Sequence, residues 1–265
     1  MPLTWSFCVV GQDGTPVDEV DADRVHSTAS IGKVFLLCEA AELIVAGRLD
    51  PAFPLYRDPS LAVGDSGLWQ HLDTELLPLA DVCTLIGAVS DNWATNVLLE
   101  VIGLDAVGAR ARALGCERSG LLDRVRVVRT EQDPPTLSVG TARELAEVAR
   151  CIRAAAAGSP VAGISGPAAQ RVEQWLLAGV DLSMVAAPFG LDPLSHVPDA
   201  TGLWCKTGTD RTVRADMGTA WSADASLSYA ALATWAPNDD VADEPFERMH
   251  GLGRSLAARV RSSTG

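Results

Sequence analysis

The apolar and polar positions change period several times along the chain, and each change marks an element. Residues 3–10 and about 15–20 are short β-like runs joined by Gly11-Gln12-Asp13-Gly14, a good hairpin turn. Small polar residues at 26–33 then give way to a run from Val34 through Leu43, Ile44 and Val45 that is apolar almost all round. This pattern predicts a buried helix that Ser27 or Thr28 caps and that ends near Gly47. An irregular stretch rich in Pro, Gly and Asp begins at Arg48 and runs to about residue 78. Helical periodicity returns at 79–89, 93–102 and 105–114, with Gly103 and Gly115 as stops. Residues 116–138 are expected to form a loop and Val139 to Ala157 an alanine-rich helix. A further helix starts at Ser165-Gly166-Pro167, carries Val172, Trp175 and Leu176 on its apolar face, and closes at Gly179.

Residues 180–201, with Pro188, Pro193 and Pro198, form a second irregular stretch. Three strand-like runs follow at 203–209, about 215–222 and 227–235, in which Trp204, Trp221 and Trp235 supply bulk for a sheet packed on a helix. Phe246, Met249, Leu252 and Leu256 stand at helical spacing, so Pro245 to Val260 is an amphipathic C-terminal helix. Strands at both ends with helices between them predict a two-lobed α/β fold. Its antiparallel sheet lobe takes residues 1–26 and 196–265, its all-helical lobe takes 27–195, and the two form one catalytic unit around a cleft. No internal repeat or low-complexity linker interrupts this plan.

Composition narrows the functions available. A formal charge of -13 and a pI near 4.6 over 265 residues argue against nucleic acid or an anionic membrane surface as partner. No run of about 18 uncharged apolar residues occurs, since Glu39 and Glu42 interrupt the most apolar stretch. The first ten residues show no basic segment or cleavage site, which predicts a cytoplasmic protein unless a leader has been trimmed from the chain as given. Cys8, Cys38, Cys83, Cys116, Cys151 and Cys205 are dispersed in apolar contexts, as suits buried thiols in a reducing compartment. His26, His71, His196 and His250 show no metal-ligand spacing, so neither a metal nor any other cofactor is expected. His26, near Ser30, is assigned a capping or packing role. No Gly-x-Ser-x-Gly elbow or Gly-rich phosphate loop is present, and Asp18 to Asp23 and Asn238 to Glu244 are expected to be solvated acidic loops.

Ser30 and Lys33 stand three residues apart at the start of the apolar helix, about one turn apart on one face. A serine hydroxyl needs a base, and a lysine serves as one when burial and nearby cations depress its pKa. Ser90-Asp91-Asn92 falls in a turn between two helices, and Lys206-Thr207-Gly208 in a strand-like run. Alone, each pattern is weak. Together, 57 residues from Lys33 to Ser90 and 114 from Asn92 to Lys206, they resemble the signature of the class A β-lactamases and penicillin-binding proteins. Gly67-Leu68-Trp69-Gln70-His71-Leu72, Ser90 to Asn96 and Leu122-Asp123-Arg124 extend the likeness over about residues 3–262.

The resemblance implies a β-lactamase-like fold and a serine hydrolase that forms an acyl-enzyme on Ser30, with Lys33 as its base and Ser90 relaying a proton. It implies further that Asn92 contacts the acyl-side amide and that Lys206, Thr207 and, more weakly, Arg214 hold a carboxylate on a small-molecule substrate. Gly208 permits close approach of the strand, and the N–H of Thr209 completes an oxyanion hole with that of Ser30. Some relatives carry a disulfide for which Cys83 has the right offset, but the partner position is Leu37, one residue from Cys38, so no bridge is expected.

One departure matters. Where these β-lactamases place a water-activating glutamate two residues after Leu-Asp-Arg, Arg126 stands. Glu131 imitates the local pattern, but Pro135 occupies the position of the asparagine that should follow four residues later. Three classes of function follow: β-lactam hydrolysis with slow deacylation, an intracellular esterase, thioesterase or peptidase using the same nucleophile, and a non-catalytic relative that binds a carboxylate ligand.

Overall fold

The computed structural model describes residues 3–194, 201–239, 241 and 243–262. His196, Pro198 and part of the acidic run ending at Glu244 lie outside the described residues. The chain enters with strands β1 (Leu3–Gly11) and β2 (Pro16–Val20). It returns to them with β8 (Gly202–Asp210), β9 (Val213–Trp221) and β10 (Ser226–Trp235) once β3–β7 and helices α1–α6, placed below, have intervened. The five strands form one antiparallel sheet in the order β2-β1-β10-β9-β8, with Phe7 opposite Ala231 and Lys206 opposite Met217. The N-terminal hairpin thus pairs with the C-terminal meander, and β8 is left at an edge.

Alternation along the strands gives the sheet two apolar faces. Leu203, Cys205, Ala220, Tyr229 and Ala231 pack with Met249, Leu252 and Leu256 of the C-terminal helix α7 (Glu244–Ser262). Trp204, Ala215, Met217, Ala230 and Leu232 face the opposite way, into a larger cluster shared with α1 (Lys33–Val45), α5 (Ala142–Ala156) and α6 (Gly166–Leu177). Val34 through Cys38 are at most 1% exposed, which makes α1 the buried axis that its all-round apolar sequence predicts. Helices α2 (Leu79–Val89), α3 (Asn92–Ile102) and α4 (Leu104–Ala113) complete the same cluster within a residue or so of their expected limits. All six cysteines are buried free thiols. Among the described residues no helix is long and apolar enough to cross a membrane.

Three expectations are corrected. Ser27 and Thr28 do not cap α1. Strand β3 (His26–Ser27) pairs with β7 (Ser138–Gly140), so the Ser27 hydroxyl meets Thr136 Oγ1 at 2.5 Å and that of Thr28 meets Ser138 Oγ at 2.7 Å. Cross-strand partners have taken the hydroxyls, and the chain enters α1 through a 3-10 turn at Ala29–Gly32. Second, Val139 belongs to β7, which also pairs with β6 (Gly120–Leu121) inside the expected loop. Helix α5 begins only after Thr141, whose hydroxyl accepts the N–H of Glu144. Third, Asp18 to Val20 belong to strand β2 rather than to a loop, while the acidic side chains of the run are exposed as expected, Glu19 and Asp23 meeting Arg143 at 2.7 and 2.9 Å on the surface. A short hairpin of β4 (Pro54–Tyr56) and β5 (Leu76–Pro78) brackets the first irregular stretch. His26 packs as expected, its ring nitrogens meeting Ser6 Oγ at 2.8 Å and Thr234 Oγ1 at 3.0 Å.

Candidate active site

The 3-10 turn holds Ser30 in the wall of a cavity of about 930 Å³ and sends Lys33, the first residue of α1, into the protein. Lys33 is fully buried. Its ammonium donates to Ser90 O at 2.6 Å, to Asn92 Oδ1 at 2.7 Å and to Ser90 Oγ at 3.2 Å. The sequence placed Lys33 against Ser30, whereas the hydrogen bonds above join it to Ser90, at the end of α2, and Asn92, at the start of α3.

That turn is built to point inward. Ser90 ends α2 in the left-handed conformation, φ 55° and ψ 35°, which costs a non-glycine residue about 1 kcal/mol or more. Asp91 caps α3: Oδ1 accepts from Ala94 N at 2.9 Å, while Oδ2 accepts from Leu68 N and Trp69 N, each at 2.8 Å. The carboxylate therefore straps the 64–69 loop to the turn. Gly67 is required at that contact, since with φ 122° a Cβ there would fall 2.3 Å from the Asp91 carboxyl carbon. Asn92 donates from Nδ2 to Gly64 O at 2.9 Å, so its amide is engaged at both ends and one N–H remains for a ligand.

From the opposite wall, edge strand β8 brings Lys206, whose ammonium donates to Ser90 Oγ at 3.0 Å and to Thr207 O at 2.7 Å. Ser90 Oγ thus lies between two buried ammonium groups. Strand β8 passes the Ser30 turn closely, because a Cβ on Gly208 would lie 2.3 Å from Thr28 O and 3.2 Å from Ser30 N. Thr207, Thr209 and Arg214 all line the cavity. Arg214 donates from Nη1 to Asp210 O and Val213 O, both at 2.8 Å, and lies over the rings of Trp235 and Phe246.

Burial, with the Lys206 ammonium adding to it, drives the Lys33 amine well below its ordinary pKa against the pull of Asp91 and Asp65. Burial likewise lowers Lys206 to about 8, opposed by Asp181, Cys205 and Asp216. Beside Thr207 in register, Asp216 is fully buried and accepts from Val185 N at 2.9 Å and Tyr229 OH at 3.2 Å. Its removal from water raises its carboxyl to about 8. Such an arrangement supplies a lysine whose charged form burial disfavours, a hydroxyl linking it to a second lysine, and a serine on the same cavity wall.

Arg126 lines the cavity at the position where the resemblance sought a carboxylate. It is tied to Asp123 at 2.6 Å and to Asp133 at 3.1 Å, while Arg129 also reaches Asp123 at 2.6 Å. Asn96 fastens the same loop, accepting from Val125 N and donating to Val125 O. Glu131 does not lie in the cavity wall; it is exposed, on a turn that the Asp133–Thr130 hydrogen bonds close on the outer side. The carboxylates among the described lining residues are Asp65, Asp181 and Asp210. Asp181 accepts the Thr207 hydroxyl at 2.7 Å. The sequence carried no sign of that pairing, because Asp181 sits in an aperiodic stretch and reaches Thr207 only through the tertiary fold. Asp91 and Asn96 were discernible as polar positions within a helix start, though not the loops they hold.

Comparison with solved structures finds the same fold. A β-lactamase from Sphaerobacter thermophilus is 21% identical, with a TM-score of 0.80 and coverage of 97% of this chain and 90% of that one. The protein PBP-A is 18% identical with a TM-score of 0.77, covering 98% and 91% of the two chains. A β-lactamase from Xanthomonas campestris pv. campestris is 18% identical with a TM-score of 0.75, covering 99% and 92%. No curated protein matches the sequence. The family model of the beta-lactamase enzyme family matches residues 2–254. With that match spanning nearly its whole length, the chain belongs to the β-lactamase enzyme family of hydrolases.

Proposed function

We propose that this protein is a serine hydrolase that opens a cyclic amide of the β-lactam type through an acyl-enzyme on Ser30, and that it releases the acyl group slowly. One observation carries the reading: Lys33 and Lys206 converge on Ser90 Oγ, at 3.2 and 3.0 Å, on the cavity that Ser30 lines. In the reaction Ser30 Oγ attacks the carbonyl carbon and its proton passes to the Lys33 amine, which burial keeps available as a base. Ser90, hydrogen-bonded to both lysines, relays a proton to the departing nitrogen as the C–N bond breaks. The backbone N–H groups of Ser30 and Thr209 receive the developing oxyanion.

Hydrolysis of the resulting ester needs a base for water, and the 122–134 loop offers Arg126 to the cavity in place of a carboxylate. The same substitution favours a second reading, in which Ser30 acts on an ester, thioester or peptide other than a β-lactam. A purely binding role is disfavoured, since two lysine amines buried against one hydroxyl cost stability that ligand capture does not require.

Intact-mass spectrometry after mixing with a penicillin, run beside a chromogenic cephalosporin turnover assay, tests the proposal. The expected result is a covalent adduct on Ser30, absent from Ser30→Ala, with slow turnover. Rapid hydrolysis would sink slow deacylation, and no adduct with any β-lactam would move the assignment to the second reading.

A further inference from the structure

The wall that Lys206 and Thr207 form carries a carboxylate of its own. Thr207 has a single O–H to donate, and it donates to Asp181 Oδ2 at 2.7 Å. The other carboxylate oxygen, Oδ1, accepts from Ser183 N at 3.2 Å and Ser183 Oγ at 2.6 Å, an Asx turn that aims Oδ2 at the strand. Burial pushes the Asp181 carboxyl up, but the hydrogen bonds from Ser183 and Thr207 and the Lys206 ammonium outweigh it and hold the group below its ordinary pKa. Asp181 is therefore an anion at neutral pH, and it is open to the cavity it lines.

A purely structural role does not account for it. The 180–185 segment is already fastened by Val180 N to Ala88 O, by Val185 N to Asp216 and by Cys205 Sγ to Asp181 O. An asparagine would serve the turn equally well. What the carboxylate adds is charge, set against the Thr207 hydroxyl that a ligand anion would seek. The two cations nearest Thr207 are engaged elsewhere: Lys206 donates to Ser90 and Thr207 O, and Arg214 is turned to backbone carbonyls.

We infer that Asp181 makes this subsite select a hydrogen-bond donor, an ammonium or an uncharged N–H or O–H group, on the leaving-group side of the substrate, and reject a carboxylate there. A donor would bond Asp181 Oδ2 and the free lone pairs of Thr207 Oγ1, whereas a carboxylate would compete for the Thr207 proton and stand against a like charge. The inference rests on the acyl-enzyme reading and narrows its substrate: a penicillin, whose carboxylate stands beside the departing nitrogen, should label Ser30 more slowly than a β-lactam without that group.

Three phenylacetate esters test it, whose leaving phenols carry a meta carboxylate, carboxamide or aminomethyl group. Each transfers the same phenylacetyl group to Ser30 Oγ with loss of the phenol, so deacylation is common and only leaving-group recognition differs. Acylation rates are read by intact mass, with Ser30→Ala as the blank. The wild-type protein should be acylated by the aminomethyl ester about tenfold faster than by the carboxylate ester, and in Asp181→Asn that ratio should fall to within about threefold. Asp181→Ser, which keeps a turn acceptor, serves if the asparagine variant does not fold. A wild-type preference for the carboxylate ester, or a ratio unchanged by either variant, overturns the inference while leaving Ser30 acylation standing. Failure of all three esters to label Ser30 in any of the proteins overturns the inference, and the acyl-enzyme reading falls with it only if a penicillin also leaves no adduct.

Discussion

Ser90 shows how a single position is made to serve chemistry at the expense of backbone comfort. Four non-glycine residues among those described have positive φ, and three of them, Ala29, Asp65 and Ser90, line the cavity. Strain gathered at one cavity wall marks a site where side-chain direction has been favoured over ease of folding. Ser90→Gly and Ser90→Ala both remove the hydroxyl between the lysines, but only glycine is at ease at φ 55°. Denaturant titration should find the glycine variant more stable than the alanine variant by about 1 kcal/mol, with Ser30 acylation reduced roughly 100-fold or more in both. An equal stability would show that the left-handed turn stores no strain.

Asp216 gives a pH prediction of definite sign. Its carboxyl keeps a proton up to about 8 in the folded protein, while the unfolded chain releases it near the ordinary value of 3.8. Its stabilising contribution is therefore complete below that lower value, falls as pH rises between the two, and is lost above about 8. Asp216→Asn, which keeps an acceptor for Val185 N, should gain stability relative to wild type between about pH 5 and pH 8. Urea unfolding at the two pH values measures the difference. A gap that does not widen with pH would mean that Asp216 is ionised in the folded state.

Among elements, the edge strand and the turn matter more to the site than the long helices do. Gly208 lets β8 lie against the Ser30 turn, and an added Cβ would meet the backbone oxygen of Thr28, which has no side-chain freedom with which to yield. Gly208→Ala should move β8 away from Ser30 and lower the acylation rate at least about tenfold, while far-UV circular dichroism stays that of the wild type. An undiminished rate would show that the close approach is packing alone. The long helices and the three C-terminal strands were legible because their apolar periods persist for nine residues or more. The pairings of β3, β6 and β7 were not, because two or three residues carry no measurable period and form strands only when distant partners arrive. Those pairings drew Ser27 and Thr28 away from capping and turned the start of α1 into the 3-10 turn that holds Ser30.

At the scale of the whole molecule, the sheet is shared by two apolar clusters, one against α7 and one against α1, α5 and α6. Neither cluster closes without the strands, so the two should lose structure together. Met249 of α7 is fully buried on the far side of the sheet from Lys33. Met249→Ala should cost about 2–5 kcal/mol and lower a single melting transition, coincident by far-UV and tryptophan signals. Two separated transitions would instead make the sheet and the helices independent folding units.

The sequence by itself determined the order of the long helices and of the five sheet strands, the return of the C-terminal strands to the N-terminal pair, and which serines and lysines to examine, since periodicity and motif spacing are local properties. The tertiary structure alone decided that both lysines meet at Ser90, that Arg126 faces the cavity inside an arginine–aspartate cluster while Glu131 stays outside, and that Asp181 claims the Thr207 hydroxyl. Each of those outcomes joins segments remote in the chain. The charge, hydroxyl or amide that a side chain finally meets is set by burial and register, and a linear pattern does not encode either.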